Sequence, residues 1–326
     1  MRAAWYDRQG PPEDVLQVGD LPEPEPGSGE VRVRLTLSGI NPGDVKKRQA
    51  WLGNAMAFPR VVPHSDGAGV IDAVGAGVDA VRVGRRVWVH GAQSYRPYGT
   101  AAQATVVPAR LAVDLPDEVS DAVGAGLGIP GITAHRAVFA DGPVTGRVIV
   151  VQGVLGGVSS LAAQLAHWGG ATVLGTVRRD ADVPRVDRAA VDHVVSLQAD
   201  PATAIRELAP GGVDRVVEVA FSANVELDAQ IVANTAVIAA FASPDDRPSL
   251  PFWPLLFDNV TIRLLGSDDF PPEAKDAAAR DLTAAAARGA VTIQVTETLP
   301  LAEIARAHQL VETGRPAGRV QLHIPG

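Results

Sequence analysis

The chain contains no cysteine. That absence excludes disulfides, a thiolate nucleophile, cysteine-ligated zinc and iron–sulfur clusters, so any chemistry rests on oxygen and nitrogen groups or on a borrowed cofactor. Aromatic residues are scarce at 5%, and lysine occurs only at positions 46, 47 and 275, leaving arginine to carry nearly all the positive charge. No run approaches the roughly 18 apolar residues of a membrane span. The amino-terminal Met1-Arg2-Ala3-Ala4-Trp5-Tyr6-Asp7 has no apolar core of the signal-peptide type, and the expectation is a soluble cytoplasmic protein. A net charge of −8 without a basic stripe disfavours nucleic acid and anionic membranes as partners.

What is present is globular: 326 residues, 46% hydrophobic and 20% charged, enough for about two domains with cores of their own. The first ~115 residues read as β-rich. Val31 to Leu37 alternates with period two, and Val70 to Val74 and Arg86 to Val89 are further short strands between Gly/Pro turns. The Pro-rich stretch 22–26 is read as a surface loop, because strand patterning resumes at once. From Ser120, placed to cap a helix, the character changes. Apolar runs at 148–151, 172–177, 193–195, 213–219 and 236–241 alternate with helical stretches, as in a parallel sheet covered on both faces. Val260 to Leu265 reads as an edge strand, Pro272 to Arg288 as an Ala-rich amphipathic helix, Leu301 to Thr313 as a helix and Arg319 to Ile324 as a closing strand.

Gly153-Val154-Leu155-Gly156-Gly157-Val158-Ser159-Ser160 follows an apolar strand and opens a helix, the context a dinucleotide-binding turn requires. Glycines let the backbone approach a pyrophosphate, and the helix N-terminus supplies N–H groups and positive dipole. Gly153, Gly156, Gly157, Val158 and Ser159 are therefore candidate cofactor contacts. Ser159 stands where a third glycine is usual, and its hydroxyl is expected on a phosphate. About 20 residues on, an acidic residue would bind the ribose diol of NAD. Gly175-Thr176-Val177-Arg178-Arg179 stands there instead. Thr176, Arg178 and Arg179 thus become candidate cofactor residues, and the two guanidiniums suit the 2′-phosphate of NADPH.

Several further segments, in order, resemble the medium-chain dehydrogenase/reductases, specifically the zinc-free quinone oxidoreductase branch that includes zeta-crystallin. They are Ser38 to Asp44, Val62 to Gly69, Val83 to Val87, Gly99 to Gln103, Pro300 to His308 and Gly314 to Val320. The resemblance implies an α/β protein with a GroES-like β-rich catalytic domain (1–119 and 267–326) and a doubly wound Rossmann domain (120–266). It places the active site in a cleft between them, and it implies a homodimer joined through Val260 to Leu265. It puts Asn41 at a position where zinc relatives have a cysteine ligand and His64 one residue from their histidine ligand. His64 is read as a turn residue, and no metal site is expected.

Without a metal to polarise a carbonyl, a hydride is expected to go to an already electrophilic carbon, in a quinone or an α,β-unsaturated carbonyl. By resemblance, Asn41 positions the nicotinamide or the acceptor carbonyl, Asp44 orients or supports it, and Arg48 faces cofactor phosphate or the cleft. Thr133, Phe241 and Ser243 lie along the nicotinamide. Lys46, where a Tyr is usual, either stabilises an oxyanion or is a solvated helix residue. Tyr95 and Tyr98 either line the pocket, as proton donor or stacking platform, or pack structurally. Phe252 and Trp253 either wall the acceptor site or pack in the core. The leading expectation is an NADPH-dependent reductase of a small planar quinone or enone. An enoyl reductase of polyketide-type biosynthesis and a low-turnover NADPH-binding structural or regulatory protein are the alternatives.

Overall fold

The structure, a computed structural model, describes residues 1–314 and 318–326. Of the Gly314 to Val320 motif, residues 315–317 lie outside the described residues. The chain divides into two compact units. Met1–Pro130, Ala279–Ala287 and Thr292–Gly326 make the first, and Gly131–Ala278 with Arg288–Val291 make the second.

In the first unit, strands β1 (Arg2–Trp5) and β2 (Gln17–Asp20) flank the short helix α1 (Pro12–Val15) and pair antiparallel. Then follow β3 (Glu30–Gly39), helix α2 (Pro42–Arg48), β4 (Asp66–Val74), β5 (Arg86–Val89), β6 (Ala104–Pro108), β7 (Ala112–Asp114) and helix α3 (Asp121–Phe139), which runs on into the second unit. Alternation along β3 buries Val31, Val33 and Leu35 and turns Arg32 and Arg34 outward, where both pair with Asp72 at 2.8 Å. The same arginines reach Glu23 and Glu25 and fasten the Pro-rich loop to the sheet.

The second unit carries β8 (Val148–Val151), α4 (Gly157–Trp168), β9 (Thr172–Val177), β10 (His193–Ser196), α5 (Pro201–Leu208), β11 (Val213–Glu218), α6 (Phe221–Ile231), β12 (Val232–Ala240), α7 (Phe252–Phe257), β13 (Thr261–Leu264) and most of the first half of α8 (Pro272–Ala287). The chain returns to the first unit through β14 (Val295–Pro300), α9 (Ile304–Glu312) and β15 (Arg319–His323). The first unit's main sheet has the order β14-β15-β3-β4-β5-β7, with β6 also on β3.

The second sheet has the order β10-β9-β8-β11-β12-β13, and every neighbouring pair is parallel. Counted from β8, that is 3-2-1-4-5-6, the doubly wound dinucleotide-binding order. The strands read as apolar runs because both faces are covered: Ile149, Val150, Val151, Val216, Val217, Ile238 and Ala239 are all fully buried.

The compact units divide the chain elsewhere than the expected boundaries: residues 120–130 fall in the first unit, and 267–278 and 288–291 in the second. The first half of α3 stays with the barrel-like sheet because its glycines allow close approach. A β-carbon on Gly124 would lie 3.0 Å from Leu115, and one on Gly128 only 2.1 Å from Asp66 Oδ1. Ser120 does cap α3, accepting from Val123 N at 3.3 Å. Phe252 and Trp253 are not core residues. They are 57% and 64% exposed and pack edge to face on each other.

Candidate active site

Local sequence builds the first unit's polar centre. Asn41 precedes Pro42 at the start of α2, and its backbone N–H donates to Asp44 Oδ2 at 2.8 Å, closing the helix N-terminus. The Asn41 side chain is buried. Its Nδ2 donates to Asp66 Oδ2 at 2.7 Å, and its Oδ1 accepts from Arg319 Nη1 at 2.8 Å. Asp66 Oδ1 accepts from Ile129 N at 2.8 Å, in α3 just beyond its non-helical residue Gly128. Arg319 Nη2 lies 3.6 Å from Asp66 Oδ2, and Arg319 Nε and Nη2 are buried without hydrogen-bond partners. These two N–H-bearing nitrogens keep hydrogen-bonding capacity unused within the centre. Burial, then the charge of Asp66, lift the Asp44 carboxyl to about 7, against the nearby Lys47 cation and the Asn41 N–H.

A second buried chain adjoins it. Arg48 Nε donates to His308 Nδ1 at 3.3 Å, so His308 donates from Nε2 to His64 Nε2 at 2.9 Å. His64 then donates from Nδ1 to Ser38 Oγ at 2.9 Å. The Ser38 hydroxyl donates to Thr100 Oγ1 at 2.7 Å, and Thr100 donates to the Asp66 carbonyl at 2.6 Å. Arg48 also holds the Gly10 carbonyl and the Glu312 carboxylate. The expectation that Arg48 faces cofactor phosphate is therefore corrected: the side chain is buried and committed to these three partners.

The other catalytic candidates lie outside this centre. Lys46 sits 4.3 Å over the Trp51 ring. Tyr95 and Tyr98 are 67% and 48% exposed, Tyr95 with a left-handed backbone.

In the second unit the glycine turn sits where β8 and β11 lie side by side and strand order reverses, the position at which open α/β sheets bind ligands. Gly153 has φ +61°, a conformation that favours glycine, and Gly156 is the N-cap of α4. Gly156 and Gly157 are exposed and Val158 is half-buried, so the start of α4 is open to solvent, as an anion site at a helix N-terminus requires. Ser159 does not. Its hydroxyl is fully buried and donates to the Gln152 carbonyl at 2.9 Å, so the expected phosphate contact is corrected to an internal tie between helix and strand.

Thr176 is likewise buried beneath the turn, accepting from Gly153 N at 3.0 Å. Arg179 is held by Asp182, at 2.9 and 3.2 Å. Arg178 is exposed and forms no ion pair among the described residues. Phe241 N donates to the Glu218 carbonyl at 3.0 Å, and Ser243 Oγ accepts from Ser222 N at 3.3 Å. This fixes the turn after β12. Thr133 is buried in α3.

Sequence reasoning missed Arg319 and Asp66 as members of the centre around Asn41. Their one available signal was a charged residue opening a largely apolar strand. Among the described residues, no group of three or more His, Asp or Glu is arranged to hold a metal ion, and the Arg319 guanidinium occupies the space beside Asn41 and Asp66.

Residues 27–117 match the family model for the alcohol dehydrogenase GroES-like domain, and residues 157–279 match that for zinc-binding dehydrogenase. Quinone oxidoreductases of Rattus norvegicus and Homo sapiens are 35% and 34% identical over 179 residues. Each alignment covers 54% of this chain and 52% of the relative, so the match spans about half the length of these curated relatives. Among solved structures, an NAD-dependent alcohol dehydrogenase is similar with TM-score 0.88 and 27% identity over the whole of both chains. A mycobacterial quinone oxidoreductase gives 0.87 and 28%, and a mycobacterial protein complexed with NADPH gives 0.84 and 27%, each over 99% of both chains.

Proposed function

The chain belongs to the medium-chain dehydrogenase/reductase superfamily, and from that premise we propose that it is a zinc-independent, NADPH-dependent oxidoreductase reducing a quinone or another activated α,β-unsaturated carbonyl. The observation that carries the reading is the Gly153–Gly157 turn, with its left-handed glycine and solvent-open helix N-terminus, at the strand-order reversal of a 3-2-1-4-5-6 sheet. When bound, the reduced nicotinamide supplies the hydride.

The chain's own residues bind and orient. The N-terminal N–H groups of α4 take the pyrophosphate. Arg178, exposed and unengaged, takes the 2′-phosphate, while Arg179 keeps its bond to Asp182. The Arg319 nitrogens and the Asn41 amide, whose orientation is set by Arg319 on one side and Asp66 on the other, present fixed donors to a phosphate or carbonyl oxygen. Zinc-independence is supported by the donor set. His64 Nε2 is occupied by His308, and a cation beside Asp66 would meet the Arg319 guanidinium. The quinone preference is supported by the quinone oxidoreductase relatives.

A homodimer is part of the same reading. β13 is the outer strand of its sheet, with Leu264 76% exposed, and Phe252, Trp253 and Phe257 are exposed on neighbouring α7. An apolar edge of this kind calls for a partner strand.

The test is NADPH oxidation with a panel of quinones, alkenals and enoyl thioesters, with and without a zinc chelator. Turnover with quinones or alkenals that the chelator leaves unchanged is expected. No oxidation by any acceptor defeats the proposal, and turnover confined to enoyl thioesters would replace it with the biosynthetic alternative.

A further inference from the structure

Below the glycine turn lies a buried polar chain that dinucleotide binding does not by itself require. Gly153 N can only donate, and it donates to Thr176 Oγ1 at 3.0 Å. The Thr176 hydroxyl therefore donates onward, to Gln152 Oε1 at 2.6 Å. That fixes the Gln152 amide, whose Nε2 donates to Asp228 Oδ1 at 2.9 Å. The backbone of Gln152 is held as firmly, its N–H by the Val217 carbonyl and its carbonyl by Ser159 Oγ, each at 2.9 Å. Gln152, Thr176, Asp228 and Glu218 are all fully buried.

The chain ends on two carboxyl groups. Glu218 closes β11 and accepts from Ala220 N and from Asn224 Nδ2, the latter at 3.0 and 3.2 Å. Its oxygens are surrounded by donors, so it holds the negative charge. Asp228 lies one turn on from Asn224 along α6 and is bonded to Gln152, whose N–H is held by Val217 next to Glu218, so its carboxyl adjoins that of Glu218; its Oδ2 is buried with no hydrogen-bond partner. Ionised, Asp228 would place a second like charge beside Glu218 and leave Oδ2 unsatisfied. Protonated on Oδ2 and donating to Glu218, it removes both costs. Burial and then the Glu218 charge push the Asp228 carboxyl well above its ordinary range. Burial also raises Glu218, against its Ala220 and Asn224 donors. β8, β9 and α6 bring Gln152, Thr176 and Asn224 to the pair and its hydrogen-bonded chain.

We propose that Asp228 and Glu218 share one proton and that, through Gln152 and Thr176, this pair sets the Gly153 N–H and with it the phosphate-binding turn. Asp228 and Gln152 are then positioning residues for an anionic dinucleotide. The shared proton keeps one negative charge, rather than two, behind the turn that receives the pyrophosphate. The inference rests on the cofactor reading above.

The experiment measures NADPH binding to the full-length protein by fluorescence from neutral to alkaline pH, with melting curves alongside. Asp228→Asn imitates the protonated acid: its Oδ1 can accept from Gln152 and its Nδ2 can donate to Glu218. Its Kd is expected within about threefold of the parent at neutral pH and flat into the alkaline range. The parent's Kd should rise roughly tenfold once the proton leaves. Gln152→Ala should raise Kd and KM for NADPH roughly tenfold at every pH, with kcat at saturating NADPH little changed. Glu218→Gln, whose amide would face the donors of Ala220 and Asn224, should lose affinity where Asp228→Asn does not.

Parallel pH profiles for parent and Asp228→Asn, or a large loss of affinity in Asp228→Asn at neutral pH with an unchanged melting temperature, would overturn the proposal. A parent protein that binds no dinucleotide would sink the cofactor reading instead. The shared proton would still show in the melts, because parent stability must fall relative to Asp228→Asn as pH rises above the ordinary carboxylate range. A parallel pair of melting profiles would reject the proton as well.

Discussion

His64 and His308, 244 residues apart in sequence, stack in the first unit with ring centres 5.2 Å apart and Nε2 atoms at 2.9 Å. Only one of the facing nitrogens can carry a proton, and Arg48 decides that it belongs to His308. Both rings are therefore neutral. Burial lowers His64 to about 3, with Arg319 adding to the effect, and burial, with the adjoining His64 ring and the Arg48 cation opposing a second charge, holds His308 well below its ordinary value.

A depressed folded-state pKa stabilises above the unfolded value and loses that contribution as pH falls. Stability should decline below about pH 6.5, until His64 protonates near 3. His308→Leu removes part of that slope and leaves Arg48 Nε and His64 Nε2 without partners, at a cost of about 2 kcal/mol or more. Denaturant titrations of both proteins across the acid range check it. Equal slopes would mean that the pair does not titrate as described.

Asp44 acts with the opposite sign. Its folded value of about 7 exceeds the ordinary 3.8, so its contribution is present at low pH and is lost as pH rises from about 4 to about 7. Linkage bounds this effect at roughly 4 kcal/mol. Asp44→Asn keeps an acceptor for the Asn41 N–H and should flatten that part of the stability profile. A variant whose profile still falls with the parent's steepness would show that another group is responsible.

Arg178 and Arg179 are adjacent but unequal. Arg178→Ala should reduce kcat/KM for NADPH by about 10- to 100-fold, through loss of a charge-assisted hydrogen bond, with little effect on NADH. Arg179→Ala should change cofactor preference much less, because that guanidinium is already bound to Asp182. Steady-state kinetics with both cofactors separate the two. An unchanged preference in Arg178→Ala would remove the assignment of the 2′-phosphate site.

Ser159→Gly should cost about 1 kcal/mol of stability through loss of the bond to the Gln152 carbonyl, while NADPH affinity stays near that of the parent. A loss of affinity without a fall in melting temperature would restore the hydroxyl to the phosphate.

Gly128→Ala tests the join between α3 and Asp66. Its new methyl would stand 2.1 Å from Asp66 Oδ1, displacing the carboxylate that holds Asn41. A loss of about 1–3 kcal/mol is expected. It should be accompanied by weaker turnover, because Asn41 loses its orientation. Wild-type stability in this variant would mean that the contact is not tight.

Much of the fold was legible because its causes are local. Period-two alternation marks β3, and continuous apolar runs mark the parallel strands; Thr172–Val177 and Arg86–Val89 were located to the residue. The glycine turn was legible for the same reason, since a left-handed backbone and a close approach are demands on a few neighbouring residues. By itself, then, the sequence determined the two architectures, the glycine turn between β8 and α4, the lack of any thiol and the basic pair after β9.

Only the tertiary structure decided which atoms each of those side chains has left for a ligand. Ser159 and Thr176 turned out to be engaged inside the protein, and Arg179 to be held by Asp182. Asn41 is oriented by Arg319, 278 positions away, because β15 runs antiparallel to β3 and pairs Gln321 with Gly39. Asp228 meets Gln152 because strand order reverses between β8 and β11. Hydrogen bonds across such distances depend on sheet order and register, and no local pattern of residue types encodes them.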